Sequence, residues 1–166
     1  MRGIIASSAY VPHRRLDRSE IAGVFGKGGG RGTRAVASYD EDTTTMGVAA
    51  ARTALADAAG VAPDALWFAT STPAYLEKTN ATTIHAALRL DASVGALDLG
   101  GALRSGIGAL RTALEGRGTT LVVSADLRDG LPTGADEATA GDAAAAVLVG
   151  DGDDVVAEYL GAGVAT

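Results

Sequence analysis

The side chains that carry covalent or metal chemistry are scarce in this sequence. Its 166 residues contain no cysteine and two histidines, His13 and His85. Without cysteine the chain has no disulfide, no thiolate zinc site and no thiol nucleophile. His85 stands next to Ile84 and close to Leu88 in a predicted helix, which favours a structural or surface role over a catalytic one.

Four aspartates raise the question of a second chemistry, the binding of a metal ion. They are Asp98, Asp126, Asp136 and Asp142, and they fall at the predicted ends of strands and in turns. Aspartate is common at such positions because its carboxylate accepts hydrogen bonds from nearby backbone N–H groups. We therefore favour local capping over a metal cluster.

A glycine-rich segment, residues 26–32 (GKGGGRG), has the composition of a phosphate-binding loop. Loops that bind phosphate in this way follow a strand directly and open a helix, whose first N–H groups hold the phosphate. No strand is predicted immediately before this segment and no helix after it. We therefore predict a plain flexible loop.

Strands and helices alternate along the predicted chain. Strands are predicted over residues 3–11, 66–70, 94–99, 119–124 and 143–149, with a further extended segment over 155–164. Helices are predicted from Asp17 or Ser19 to Phe25, and over residues 42–59, 80–90 and 103–115. This alternation predicts an α/β fold, a mostly parallel five-stranded sheet with helices on both faces. The two consecutive strands at the end predict one antiparallel pair.

Composition limits both the core and the function. Apolar residues make up 47% of the chain but aromatic residues only 4%, so small side chains must build the core of one domain over residues 1–166. The net charge of −6 and the absence of a basic stripe exclude nucleic acid as a partner. No apolar run of about 18 residues and no leader pattern is present, which predicts a cytoplasmic protein with no membrane contact.

Four separated segments resemble one family in the same order. They are residues 41–46 (EDTTTM), 68–73 (FATSTP), 98–110 (DLGGALRSGIGAL) and 141–146 (GDAAAA). The chain is similar to the N-terminal half of a thiolase-superfamily condensing enzyme, and it resembles the hydroxymethylglutaryl-CoA synthases most, with the ketoacyl synthases that start fatty-acid synthesis next. The resemblance implies the thiolase-like half fold.

Two positions depart from what this family uses for catalysis. The resemblance places Leu103 where the family has its cysteine nucleophile and Ser71 where it has a glutamate acid/base. Leucine forms no thioester, and a serine hydroxyl does not titrate near neutral pH. The family's oxyanion residues lie in its C-terminal half, and neither histidine of this chain matches them. We therefore expect no catalytic residue, no metal and no cofactor, with acyl-CoA as the ligand that the resemblance implies.

Three functions follow from this resemblance. The first is a cysteine-free subunit of an acyl-CoA condensing assembly, together with a thiolase and an OB-fold partner. The second is the first half of a split acyltransferase whose other half supplies histidine and asparagine. The third is a structural or regulatory pseudoenzyme, because a fold does not determine a function.

The predicted helix over residues 103–115 and the strand before it should carry the contacts to partners. Small residues allow this helix to pass close to a sheet; they are Gly100, Gly101, Ser105, Gly106 and Gly108. Its apolar residues are expected to be covered by a second thiolase-like half; they are Ile107, Ala109, Leu110, Ala113 and Leu114. The strand is expected to lie at the sheet edge and to form a homodimer through Val94, Gly95, Ala96, Leu97, Asp98 and Leu99.

Overall fold

The structure is a computed structural model that describes residues 1–164. The strands are β1 (Arg2–Tyr10), β2 (Arg15–Asp17), β3 (Thr33–Ala35), β4 (Ala65–Thr70), β5 (Gly95–Gly100), β6 (Thr120–Asp126), β7 (Ala143–Asp151) and β8 (Ala157–Glu158). The helices are α1 (Arg18–Phe25), α2 (Thr43–Asp57), α3 (Asn80–Leu88), α4 (Arg104–Glu115) and α5 (Ala135–Thr139).

Six strands form the main sheet, in the order β5-β4-β6-β7-β1-β8. Strand β4 pairs in parallel with β5 and β6, whereas β7 lies antiparallel between β6 and β1. Strands β1, β4, β5 and β6 therefore point in one direction. Strand β5 stands at one edge, as the sequence predicted.

Helices cover both faces of the sheet. On one face α2 and α3 pack over a core in which Met46, Leu66, Phe68 and Ile84 are almost fully buried. On the other face α4 packs over a smaller cluster through Ala109 and Ala113. Alanine fills most of the remaining buried positions in the larger cluster, so the core contains many small side chains, as the composition predicted.

The α/β class and the covered parallel strands are confirmed, with differences in detail. The sheet has six strands rather than five because β8 pairs with β1, while the rest of the predicted extended segment 155–164 forms no strand. Three neighbouring pairs are antiparallel rather than one. The short elements β2, β3 and α5 were not predicted, because such elements have too few residues to show a periodic pattern.

The glycine-rich segment connects α1 to β3, which pairs with β2 in a small separate sheet. No helix follows it, so it lacks the geometry of a phosphate loop. Gly29 is buried with a φ of +80°, and a Cβ at this position would lie 1.9 Å from the carbonyl oxygen of Arg18. The segment is therefore partly packed against α1.

Helix α2 begins with a reciprocal cap. The Asp42 carboxylate accepts a hydrogen bond from the Thr45 N–H at 2.7 Å, and the Thr45 hydroxyl accepts one from the Asp42 N–H at 2.7 Å. This pairing satisfies two backbone donors that the helix itself leaves free. The sequence motif at residues 41–46 is thus a helix start.

Glu41, just before this cap, is expected to contribute stability that depends on pH. The hydrogen bond from the Tyr10 hydroxyl, followed by the bond from the Ser38 N–H, lowers the pKa of Glu41 from its ordinary 4.5. A lowered carboxyl pKa adds stability above the unfolded pKa, and this contribution disappears as the pH falls through the folded pKa.

We therefore expect Glu41→Gln to lower the melting temperature modestly at pH 7 and to have a smaller effect at pH 3. Thermal unfolding followed by circular dichroism checks this, with the exposed Glu77→Gln as control. An equal loss at both pH values would contradict it.

In the part of the chain that the structure describes, no helix is both long and apolar enough to cross a membrane.

Candidate functional site

The carboxyl end of β5 leads into a sharp turn and then into α4. Gly101 has a φ of +93°, a conformation that favours glycine. The backbone of Leu103 is already helical, and the Ser105 hydroxyl donates a hydrogen bond to the Gly100 carbonyl oxygen at 3.1 Å. The predicted strand, elbow and helix are therefore present, with Leu103 at the helix start.

Leu103 at the helix start is exposed. Its exposed fraction is 61%, and that of Ile107, one turn further along α4, is 71%. Both side chains line a depression of about 320 Å³ between α4 and the strands β6 and β7. Ser124 is the polar member of that otherwise apolar lining.

Gly106 and Gly108 differ in what they do for α4. A Cβ at Gly106 would lie 3.0 Å from the Ser124 hydroxyl oxygen, so this glycine lets α4 approach the sheet as predicted. A Cβ at Gly108 would meet no atom within 4 Å. The predicted packing role of Gly108 is therefore wrong within this chain.

The predicted acid position, Ser71, follows the end of β4 and contacts the end of β6. Its N–H and its hydroxyl both donate to one oxygen (Oδ1) of Asp126, at 2.7 and 2.9 Å, and the Thr70 hydroxyl donates to the same oxygen at 3.2 Å. The Leu127 N–H in turn donates to the Thr72 hydroxyl at 3.0 Å. Ser71 thus helps to fix a loop.

Asp126 itself lines a second depression, of about 510 Å³, together with Arg128 and Gly141. Ser124 and Ala145 line both depressions. An open surface therefore runs from Leu103 at the elbow to the Asp126 carboxylate. The larger depression is lined mostly by alanine, which leaves room above the sheet there.

The other aspartates serve separate structural roles. Asp98 on β5 accepts hydrogen bonds from the Asn80 and Ala81 N–H groups, both at 2.7 Å, and so caps α3 from a neighbouring element. Asp136 pairs with Arg128 at 2.5 Å. Among residues 1–164, no three His, Cys, Asp or Glu side chains are grouped to hold a metal ion. The local capping role predicted for these aspartates is seen at Asp98.

Asp142 is the centre of a buried polar cluster that the sequence did not predict. Its carboxylate accepts hydrogen bonds from the Arg34 guanidinium at 3.1 Å and from the Ala37 and Arg128 N–H groups, both at 2.8 Å. The motif at residues 141–146 therefore ties β3, β7 and the loop after β6 together. The sequence feature that could have indicated this buried cluster is an aspartate directly before a run of alanines.

The two histidines lie on different elements. His85 lies on α3, which packs on the face opposite α4, and its Nε2 atom is 3.0 Å from the Asp91 carbonyl oxygen. His13 is exposed in the loop between β1 and β2. The structural or surface role predicted for His85 agrees with this placement.

The comparisons with known proteins agree with this geometry. No family model matches the sequence. The chain is 34% identical over 167 residues to the hydroxymethylglutaryl-CoA synthase of Thermococcus gammatolerans, covering 95% of this chain and 47% of the relative. It is 35% identical over 174 residues to that of Aeropyrum pernix, with the same shares of the two chains.

Solved structures extend the comparison to the fold. The priming β-ketosynthase of the R1128 polyketide pathway superposes with a TM-score of 0.76 at 26% identity, covering 93% of this chain and 51% of that one. MvaS in complex with 3-hydroxy-3-methylglutaryl coenzyme A gives 0.74 at 30% identity, covering 90% and 40%.

The sheet, its helices and the elbow define a thiolase-like condensing-enzyme domain. Within that class the chain belongs with the hydroxymethylglutaryl-CoA synthases, and it spans about half the length of the curated relatives it matches. The resemblance predicted from four short segments is confirmed.

Proposed function

We propose that this chain is a cysteine-free, N-terminal thiolase-like half that acts in an acyl-CoA condensing assembly without forming an acyl-enzyme. The observation that carries the proposal is Leu103. It is the N-cap residue of α4, two residues after the left-handed Gly101. A thiol at a helix start is activated there by the helix dipole. A leucine side chain offers no atom for acyl transfer.

A second observation supports the proposal. The resemblance places Ser71 where the family has its glutamate acid/base, and the Ser71 hydroxyl donates a hydrogen bond to Asp126. The Asp126 oxygen receives three hydrogen bonds, from the Thr70 hydroxyl and from the N–H and hydroxyl of Ser71, so the Ser71 hydroxyl takes part in a fixed contact between two loops. Positions 103 and 71 therefore supply neither the nucleophile nor the acid/base that the resemblance implies.

The proposed partners are a second thiolase-like half, a thiolase and an OB-fold protein, with acyl-CoA as the shared ligand. The exposed Leu103 and Ile107 favour a partner over a free-standing pseudoenzyme, because apolar side chains grouped on one face are a usual mark of an interface. Relatives of about twice this length contain enough chain for such a second half. The cytoplasmic location stays a prediction.

Native mass spectrometry of the tagged chain purified from its source tests the assembly. A thiolase together with an OB-fold protein in the purified complex supports the proposal. A lone second half carrying histidine and asparagine would instead indicate a split acyltransferase. A chain with no partner would favour the pseudoenzyme and overturn the proposal.

The proposed absence of an acyl-enzyme gives a direct prediction. Incubation with radiolabelled acetyl-CoA, followed by denaturation, should leave no label on the protein, because the chain has no cysteine and Leu103 is inert. Stable stoichiometric label, for example on Ser105, would contradict this.

Leu103→Cys is the companion variant. Since the chain has no other cysteine, any reaction with a thiol reagent reports position 103 alone. We expect this thiol to react, and synthase activity to stay near background, because Ser71 supplies no acid and the oxyanion donors are outside this chain. Restored activity would show that the remaining site is complete.

A further inference from the structure

A groove lies between the helices α2 and α3, on the face of the sheet opposite α4. Its volume is about 330 Å³, which is in the range of small-molecule sites. It is lined from α2 by Thr44, Thr45, Val48 and Arg52 and from α3 by Thr83 and Ala87. None of these residues lines the depressions on the elbow side of the sheet, so the α2–α3 groove is separate from the candidate functional site.

The α2 wall of this groove has a polar end, an apolar middle and a cationic end. Thr44, Val48 and Arg52 follow one another at intervals of four residues, which places them on one face of the helix. At a rise of about 1.5 Å per residue, the Cα atoms of Thr44 and Arg52 are about 12 Å apart along the helix axis. This spacing suits an elongated ligand with a different group at each end.

Thr44, at the polar end, has a buried hydroxyl without a partner. The residue is 2% exposed, and its hydroxyl oxygen forms no hydrogen bond among residues 1–164. Its neighbours differ, because the Thr43 hydroxyl donates to the Thr72 carbonyl oxygen at 3.0 Å and the Thr45 hydroxyl belongs to the helix cap. An unpaired buried hydroxyl is costly, since it has lost its hydrogen bonds to water and gained none in the protein.

Rotation about χ1 connects the Thr44 hydroxyl to the groove. This rotation exchanges the positions of the hydroxyl and the methyl group, and a threonine in a helix populates two such rotamers. Because Thr44 lines the α2–α3 groove, a ligand bound there can supply the partner that its hydroxyl lacks. Thr83 adds a second hydroxyl from the opposite wall.

Arg52, at the cationic end, is exposed and forms no ion pair among residues 1–164. Its guanidinium donates a hydrogen bond to the Ala87 carbonyl oxygen on α3 at 3.2 Å, which uses one of its five N–H donors. This bond holds the guanidinium between the two helices. The planar fork of an arginine matches the two oxygens of a carboxylate.

We propose that the α2–α3 groove binds a small organic acid in an extended conformation. Its carboxylate pairs with Arg52, its methylene chain lies along Val48, and a hydroxyl at its far end forms a hydrogen bond with Thr44. The ligand class is therefore a short ω-hydroxy acid. This proposal does not rest on the proposed function, because the groove and Leu103 lie on opposite faces of the sheet.

Three probe molecules of the same chain length test the two ends of the groove. They are 6-hydroxyhexanoate, hexanoate, which lacks the hydroxyl, and hexan-1-ol, which lacks the carboxylate. Each is titrated into the ¹⁵N-labelled chain while the amide signals of Thr44 and Thr83 are followed by NMR. We expect 6-hydroxyhexanoate to bind with a Kd of about 1 mM, as is usual for a fragment, and the other two probes to bind at least about fivefold more weakly.

Matched variants assign each end of the ligand to its residue. Thr44→Val should weaken binding of 6-hydroxyhexanoate about fivefold and leave hexanoate unchanged, whereas Arg52→Gln should weaken both acids. The controls are Thr53→Val, exposed on the same helix but outside the groove, and Arg31→Gln, exposed in the glycine-rich loop. Neither control should change the binding of any probe.

Two kinds of result would overturn the proposal. The first is the absence of a saturable shift at Thr44 and Thr83 with 6-hydroxyhexanoate up to about 20 mM, or equal affinities for 6-hydroxyhexanoate and hexanoate. The second is a lower melting temperature for Thr44→Val without ligand, because that loss would show that the Thr44 hydroxyl already has a partner within the chain. An unchanged or raised melting temperature supports the proposal.

Discussion

Replacing Asp142 with alanine is expected to lower the free energy of unfolding by about 3–5 kcal/mol. The Asp142 and Arg34 side chains are only 3% and 6% exposed. The change leaves the Arg34 guanidinium buried without its counter-ion, and it removes the acceptor for the Ala37 and Arg128 N–H groups. Buried donors without an acceptor are costly because they lose water and gain nothing in return.

Chemical denaturation followed by circular dichroism measures this loss. The control is Asp151→Asn, which breaks a 3.0 Å ion pair with Arg2 in which Asp151 is 67% exposed. Exposed pairs contribute about 1 kcal/mol or less, so this variant should remain close to the wild type.

Arg34→Met refines the prediction. It removes the buried cation but leaves the carboxylate bound to two backbone N–H groups, so it should cost less than Asp142→Ala. A variant Asp142→Ala that stays within about 1 kcal/mol of the wild type would show that the buried cluster does not stabilise the fold.

Replacing Ala96 with proline is expected to convert a dimer into a folded monomer. Strand β5 is the edge of the main sheet, and we propose that it pairs antiparallel with the β5 of a second copy across a two-fold axis near Ala96. The Gly95 N–H donates to the Asp64 carbonyl oxygen, just before β4. Because backbone N–H groups alternate sides along a strand, the N–H of Ala96 points to the free edge.

Proline at Ala96 therefore removes a donor that only the second copy would use, and edge strands tolerate proline on that side. Light scattering measures the mass, and circular dichroism checks the fold. Leu97→Pro is the matched control, because the N–H of Leu97 points towards β4, and its loss should destabilise the sheet itself. A dimer that survives Ala96→Pro would place the interface elsewhere.

The exposed edge makes this pairing physically reasonable. An unpaired edge strand presents free N–H and C=O groups that favour association. Leu97 on β5 is 53% exposed, and the strand contains neither lysine nor proline to discourage pairing. A symmetric contact closes both edges with one surface.

Local patterns in the sequence were enough to predict the elements that are long or sharply bounded. The Asp42 cap lies within three residues of its partner Thr45, and the turn at Gly101 is a property of one residue. The order of strands and helices likewise followed from periodicity. Short elements such as β2 and β3 were missed, because a three-residue strand exists only where a neighbouring strand is available to pair with it.

By itself the sequence determined the chemistry that this chain lacks and the class of fold to which it belongs. The absence of cysteine and the leucine at position 103 need no coordinates. The tertiary structure alone decided which polar groups meet. Ser71 and Asp126 are 55 residues apart and Arg34 and Asp142 are 108 apart; the topology of the sheet, not any local spacing, brings each pair together. The exposure of Gly108 is likewise a property of the packed molecule, since a helical pattern cannot show which side of a helix remains uncovered.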